Sequence, residues 1–247
     1  MQVTSVETRT IQVVHAGCVP YTEAWEWQRQ LAKARSSGQI EDTLLLLEHP
    51  PTITLGRAAD RSNLLATPAA LAQQGIAVVE TNRGGDVTYH APGQIVGYPI
   101  LKLSRHGANL LRYLRKLEEV IIQVLADYGL AAGRVEGLTG VWLNAQRPHR
   151  ADWPAALPTE NDLDVKIAAI GVHLSASGVT THGFALNVRT DLHGFSQIVP
   201  CGIRDRGVTS LEQVLDTTPA LPAVTSRLLD HFADVFAVEV VTIDRDT

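Results

Sequence analysis

The chain has 247 residues, 45% hydrophobic and 19% charged, which is ordinary for a globular protein and long enough to bury a core in one large domain. A net charge of −5 argues against a nucleic-acid binder, and no apolar run reaches the ~18 residues that a membrane span requires. The N-terminal MQVTSVETRTIQVVHAG has no basic head and apolar core of a secretory signal, and two cysteines, Cys18 and Cys201, cannot make a disulfide framework, so a reducing cytoplasm is expected.

Ile11–Val14 reads as a first strand, with Cys18 in a loop before Pro20 and no group nearby to activate its thiol. Tyr21–Arg35 reads as a helix whose apolar side is Tyr21, Trp25, Leu31 and Ala32, with Ala24, Gln28, Leu31 and Arg35 along another side. Thr43–Leu47 is a continuous apolar run, long enough for one buried strand; His49-Pro50-Pro51 breaks it and Thr52–Leu55 resumes. Thr67-Pro68 is a helix start, Thr as N-cap and Pro in the first turn, and Ile76–Glu80 is another strand. Gly84-Gly85 reads as a hairpin turn, since neither a P-loop nor a dinucleotide fingerprint is present. Gln94–Leu101 is a strand. Ala108–Tyr128 is a helix with one buried stripe, Leu110, Leu114, Leu117, Ile121 and Val124. Thr139–Leu143 is a strand. The Pro-rich stretch that follows reads as a surface insertion at about 144–164, with Trp153 as a residue to test. Thr209 and Glu212 have capping-box spacing, Pro219 and Pro222 bound a linker, and Val224, Leu228, Phe232 and Val235 mark a last helix before a strand at Ala237–Ile243. No metal-ligand spacing is found among the nine histidines, and no cofactor is called for.

The most informative stretch runs from Asp164 to Gly202. Ile167–Leu174, the turn Ser175–Gly178 and Val179–Val188 read as a hairpin that sets Lys166 opposite Asn187 to within one residue of register. Cys201 has only to fold back to that open end to meet Lys166. An ammonium beside a thiol raises the thiolate fraction, and the thiolate is the nucleophile. Gly202 leaves room for a substrate carbonyl, with its N–H available to an oxyanion. A cysteine taken alone is more often a small buried hydrophobe than a nucleophile.

At these residues the chain resembles the octanoyltransferases of lipoate synthesis, also called lipoyl(octanoyl) transferases. The matching pieces are EHPPTITLGR (Glu48–Arg57), RGGDVTYHAPGQIVGYPI (Arg83–Ile100), TGVWL (Thr139–Leu143), KIAAIGVHL (Lys166–Leu174), THGFALNV (Thr181–Val188) and PCGI (Pro200–Ile203), in the family's order. Ala91 stands where the family commonly has glycine, and the family's TGVW usually runs almost directly into the lysine strand. The resemblance implies an α/β (α+β) single domain, a mixed, largely antiparallel sheet flanked by helices, like the catalytic domains of biotin and lipoate ligases. It implies octanoyl transfer from acyl carrier protein to lipoyl domains of 2-oxoacid dehydrogenases and glycine cleavage H protein. Cys201 and Lys166 are the implied catalytic pair. The implied pocket is Arg83, Gly84, Gly85, Asp86, Val87, Thr88, Tyr89 and His90, with Ala169, Ile170 and Gly171 and with Gly183, Phe184 and Ala185. His90 is expected near Cys201, orienting rather than ligating a metal, and the His49 loop beside the acyl site. Acidic carriers would need a basic patch, for which Lys102, Arg105, Arg112, Arg115 and Lys116 are candidates, with Arg57 and Arg61. The alternatives are an ATP-dependent ligase of the same fold, a carrier-binding scaffold without turnover, and a cysteine hydrolase.

Overall fold

The structure, a computed structural model, describes residues 9–144, 146–148, 163–203 and 206–244. In chain order the elements are β1 (Thr10–Cys18), α1 (Tyr21–Ser36), β2 (Asp42–Glu48), β3 (Thr52–Leu55), α2 (Pro68–Gln73), β4 (Ala77–Glu80), β5 (Val87–His90) and β6 (Gln94–Ile100). There follow α3 (Leu110–Ala126), β7 (Val141–Leu143), β8 (Val165–Leu174), β9 (Thr180–Asn187), β10 (Gly207–Val208), α4 (Leu211–Val214), α5 (Leu221–Phe236) and β11 (Glu239–Ile243). The large sheet runs β10-β8-β9-β6-β2-β1-β11, with β7 also on β8. It is mixed: β1 is parallel to β2 and β11, and the pairs β2–β6, β6–β9 and β8–β9 are antiparallel.

Helices on both faces explain why β2 reads as one apolar run. Leu44 and Leu46 pack with Leu117, Ile121, Leu228 and Phe232 of α3 and α5, while Leu45 and Leu47 pack with Val96, Tyr98 and Ala24 on the α1 side. Truncating a leucine in such a layer costs about 2–5 kcal/mol. In α3, Leu117, Ile121 and Val124 of the expected stripe are fully buried, but Leu110 is 38% exposed. The expected cap of α2 is present, Thr67 Oγ1 accepting from the Ala70 N–H.

Four local expectations fail for identifiable reasons. Gly84-Gly85 is not a hairpin turn, because β4 and β5 do not pair with each other: both flank β3 in a separate three-stranded sheet, and the glycines lie in the crossover. The inner side of α1 is Tyr21, Ala24, Gln28 and Arg35, with Trp25 and Leu31 only half-buried. Gln28 and Arg35 are buried because each has a polar partner outside the helix, the His182 N–H and the Asp42 carboxylate at the start of β2. The Thr209–Glu212 capping box does not form: Ser210 holds the N-cap position, and Thr209 Oγ1 donates to Gln213 Oε1 at 3.1 Å. Pro222 lies inside the first turn of α5, where a missing N–H is tolerated, and bounds no linker. Most of the expected 144–164 insertion, Trp153 included, lies outside the described residues. Among the described residues no helix is long and apolar enough to cross a membrane.

Candidate active site

Lys166 is the second residue of β8, level with Trp142 on one side and Val208 on the other. The register Ala168↔Leu186, continued by two, places it opposite Val188, one residue from the expected Asn187. Its Nζ lies 4.6 Å from the centre of the buried Trp142 ring, a cation–π distance, and the Arg206 guanidinium approaches the same ring at 5.5 Å. Gly140, at φ +123°, clears the lysine stem: a Cβ there would meet Ala168 O at 2.7 Å and Lys166 Cε at 3.3 Å. Glu118 of α3, fully buried, pins this corner by accepting from the Gly140 N–H at 3.2 Å, Arg115 Nη1 at 2.7 Å and Arg134 Nε at 2.9 Å.

The lysine lies on the wall of an open groove of about 520 Å³. Leu110, Leu114, Leu138, Ile170, Val172 and Ile203 make it apolar, and Gly84, Gly85, Asp86 and Gly171 complete it. The Arg83–Asp86 loop reaches it by backbone contact. The Gly84 N–H donates to Val172 O at 2.9 Å, and a Cβ on Gly171 would stand 2.8 Å from Gly84 O. The buried Arg83 guanidinium ties the loop to β3 through Thr54 Oγ1 at 3.1 Å and Thr54 O at 2.6 Å.

Behind the groove lies a narrow cavity of about 30 Å³, room for one or two waters. Arg83, Thr88, His90, Ala169, Gly183, Phe184 and Ala185 line it, with Gly171 shared between the two spaces. Val87 and Tyr89 do not join them, since alternate residues of β5 face the core of the small sheet with Ile53, Leu71 and Ile198. The cavity also gathers Tyr21, Tyr98 and His182, which sequence reasoning missed. His90 Nδ1 lies 2.8 Å from Gln94 Oε1, and because Gln94 Nε2 donates to Asn187 Oδ1, that imidazole nitrogen is the donor. Asn187 Nδ2 in turn donates to Thr209 O, and the Thr209 N–H to Lys166 O, so a hydrogen-bonded chain links His90 to the lysine strand.

His49 bridges Val19 O and the Tyr98 hydroxyl, both at 2.7 Å. His182 bridges Asn82 Oδ1 at 2.7 Å and the Tyr21 hydroxyl at 3.3 Å, at a left-handed φ of +56°. Burial lowers the pKa of His49 to about 4 and, with Arg83 nearby, that of His182 to about 3. Burial and the neighbouring His49 hold His90 well below the usual imidazole value. The three are neutral at pH 7.

Pro200–Gly202 is one turn of 3₁₀ helix packed against β5. The Gly202 N–H, expected to face an oxyanion, donates to Val199 O at 3.0 Å inside the turn. Beyond the backbone of Cys201, the expected Lys166–Cys201 contact and the approach of His90 to the thiol lie outside the described residues. The expected basic patch divides: Lys102 reaches Ser177 O at the hairpin tip and Arg105 pairs with Glu41, whereas Arg112, Arg115 and Lys116 line a hollow beside the groove with Arg134. A signal for Glu118 was present, since an acid four residues after Leu114 and three before Ile121 falls in the apolar stripe.

The model of the lipoyl protein ligase A/B catalytic domain family matches residues 20–233. The fold agrees: a bipartite lipoate protein ligase from Thermoplasma acidophilum superposes with a TM-score of 0.69 at 16% identity, over 96% of this chain and 87% of that one. A lipoate-protein ligase A bound with ATP gives 0.64 at 15% identity, over 96% and 89%. Within that class the sequence is far more specific. It is 57% identical to the octanoyltransferase of Chloroflexus aurantiacus over 94% of this chain and 96% of that one. It is 49% identical to that of Rubrobacter xylanophilus, over 89% and 90%. The chain belongs to the octanoyltransferase family, which makes it an acyltransferase.

Proposed function

We propose that this chain, acting as a single catalytic domain in the cytoplasm, moves an octanoyl group from an acyl carrier protein thioester to a lysine amine of a lipoyl domain through a thioester on Cys201. Acceptors are the lipoyl domains of 2-oxoacid dehydrogenases and the glycine cleavage H protein. One observation carries the reading: a buried lysine on the wall of an open apolar groove whose lining includes Ile203, two residues past Cys201. The apolar side chains of that groove suit an alkyl chain, and Gly84, Gly85, Asp86, Ile170 and Gly171 are its substrate contacts. Arg83, Thr88, His90, Ala169, Gly183, Phe184 and Ala185 support it from the inner cavity.

The steps balance without ATP or a cofactor. The Cys201 thiolate attacks the carrier thioester; a C–S bond forms to Cys201, the C–S bond to the carrier breaks, and the departing thiolate takes a proton from Lys166. The acceptor lysine, arriving as a free amine, then attacks the acyl-enzyme. The amide C–N bond forms, the Cys201 C–S bond breaks, and the amine proton passes to Lys166. Exchange of one thioester for another is nearly balanced, and amide formation drives the second step.

The test is intact mass after mixing the protein with octanoyl-acyl carrier protein without ATP, beside Cys201→Ser. One octanoyl group gained, absent in the variant and discharged by a lipoyl domain, is expected. Amide formed only with ATP and free acid would move the protein to the ligases. Discharge to water alone would make it a hydrolase.

A further inference from the structure

The turn that carries Cys201 is held by a neighbouring loop. Leu64 bridges Ile198, the Leu65 N–H donates to Gln197 O at 2.8 Å, and the Val199 N–H donates to Asn63 O at 2.8 Å. These backbone ties end one residue before Pro200. The buried Asn63 then directs its side chain toward the Arg83–Asp86 loop, where Nδ2 donates to Asp86 Oδ2 at 2.6 Å. Asp86 Oδ1 accepts from the Asp60 N–H at 3.0 Å, and Asp86 O from the Gly56 N–H at 3.1 Å. One carboxylate therefore closes the Asp60–Asn63 turn and fastens it to the groove loop. Gly202 rests on this junction at φ +70°, where a Cβ would stand 3.1 Å from Asp86 Oδ2 and 3.3 Å from Asn63 Nδ2. The contact is backbone against hydrogen-bonded pair: a Cβ would push on the pair, and the left-handed φ favours glycine there.

We infer that Asn63 and Asp86 form a clamp that sets the Pro200–Gly202 turn, and with it Cys201, against the Lys166 groove. They are positioning residues for acylation, and this rests on Cys201 being the nucleophile. Asp86 touches the groove as well, so its removal could be mistaken for loss of a substrate contact. Polarity separates the two roles. Asn63→Asp sets two carboxylates face to face. Asp86→Asn leaves an amide unable to accept from both Asn63 Nδ2 and the Asp60 N–H in its present arrangement. The double variant exchanges donor and acceptor: the new amide nitrogen donates to the new carboxylate, and the amide oxygen still accepts from Asp60.

The experiment is single-turnover acylation by octanoyl-acyl carrier protein, with the rate of Cys201 alkylation by iodoacetamide and a thermal midpoint on each protein. Each single variant is expected to slow acylation at saturating donor by about tenfold or more with KM nearly unchanged, because a small misplacement of a reacting atom is enough for that. The double variant is expected to recover most of the rate, and a double-mutant cycle gives the coupling. Asn63→Ser, which drops the amide without adding charge, serves if Asn63→Asp fails to fold. Single variants at the wild-type rate would overturn the clamp, as would a rise in KM with kcat intact or a double variant no faster than the slower single. A wild-type protein that forms no acyl-enzyme would instead sink the Cys201 reading, so the two failures are distinguishable.

Discussion

The groove beside Lys166 and the cavity around His90 share Gly171 and draw on the same short motifs, yet the first is roomy, about 520 Å³ with Lys166 on its wall, and the second tight, about 30 Å³ with the Arg83 guanidinium tied to Thr54 and neutral imidazoles around it. The groove keeps a charge against an aromatic face and leaves space in front of it. At the cavity His90, His182, Tyr21, Tyr98 and the Arg83 guanidinium interlock, with His49 and Gln94 bonded behind them, each imidazole tied to a named acceptor or hydroxyl. Space for a ligand is what the proposed reaction needs of the groove, and filled hydrogen-bonding capacity suits the cavity to holding shape. Lys166→Met breaks the contrast where it is sharpest. It keeps stem length and removes the ammonium, so acylation should fall by roughly 10²- to 10⁴-fold, the range of a lost proton-transfer group. A thermal midpoint taken beside it separates loss of the ammonium from loss of fold, because the cation–π contact with Trp142 goes with the charge. A variant within tenfold of wild type in single turnover would show that the groove's charge is not part of the reaction.

The cavity should register pH in stability instead. An imidazole held neutral by burial binds fewer protons folded than unfolded, so its contribution is complete above the unfolded pKa and is lost as pH falls toward the folded value. For His49 the window runs from 6.5 down to about 4, a gap corresponding to about 3 kcal/mol. His182 and His90 act in the same direction. Burial pushes the Asp42 carboxyl up, but hydrogen bonds from His106, Arg35 and the Lys102 N–H outweigh it and hold its pKa below the ordinary 3.8, so its loss comes at lower pH. Urea unfolding of wild type and His49→Gln at about pH 7.5 and about pH 4.5 reads the effect. The variant should start less stable and lose clearly less stability on acidification; equal losses would remove His49 from the account.

What the sequence disclosed follows from how local each signal is. The Lys166 hairpin, the doubly buried β2 and the Thr67-Pro68 start are set by neighbours in the chain, and they stand as read. Two strands of the small sheet, β3 and β4, were read, but their pairing with each other and with β5 in a separate sheet was not, because four-residue strands offer too little pattern to specify partners and β3 takes both β4 and β5 as neighbours. The burial of Gln28 could not be read locally, because its partner, the His182 N–H, lies 154 residues away, and the apolar stripe that carries Glu118 does not disclose the Gly140 N–H 22 residues on. The alternation that turns Val87 and Tyr89 away from Thr88 and His90 was present in the sequence, but a motif taken as one block conceals the face each residue takes.

The outer rim of the groove offers the mildest test of the same contrast, because it touches neither the reacting atoms nor the core. Leu110 and Leu111 at the start of α3 are 38% and 62% exposed, the first lining the groove and the second the hollow beside it with Arg112. Arg115 is engaged by Glu118, Arg134 by Glu118 and Glu119, and Lys116 by Val235 O, so reversing those charges would disturb packing as well. Arg112 is exposed on the first turn of α3 and carries its charge at the rim. In a chain of net charge −5, such a rim would suit the acidic carrier of the proposed reaction, which the rest of the surface would repel. Arg112→Glu should therefore raise KM for the carrier by about threefold to tenfold with kcat unchanged, and the difference should shrink as salt screens exposed charges. A fall in kcat would mean that α3 reaches the reacting groups. A KM effect indifferent to salt would mean that the rim recognises shape and not charge.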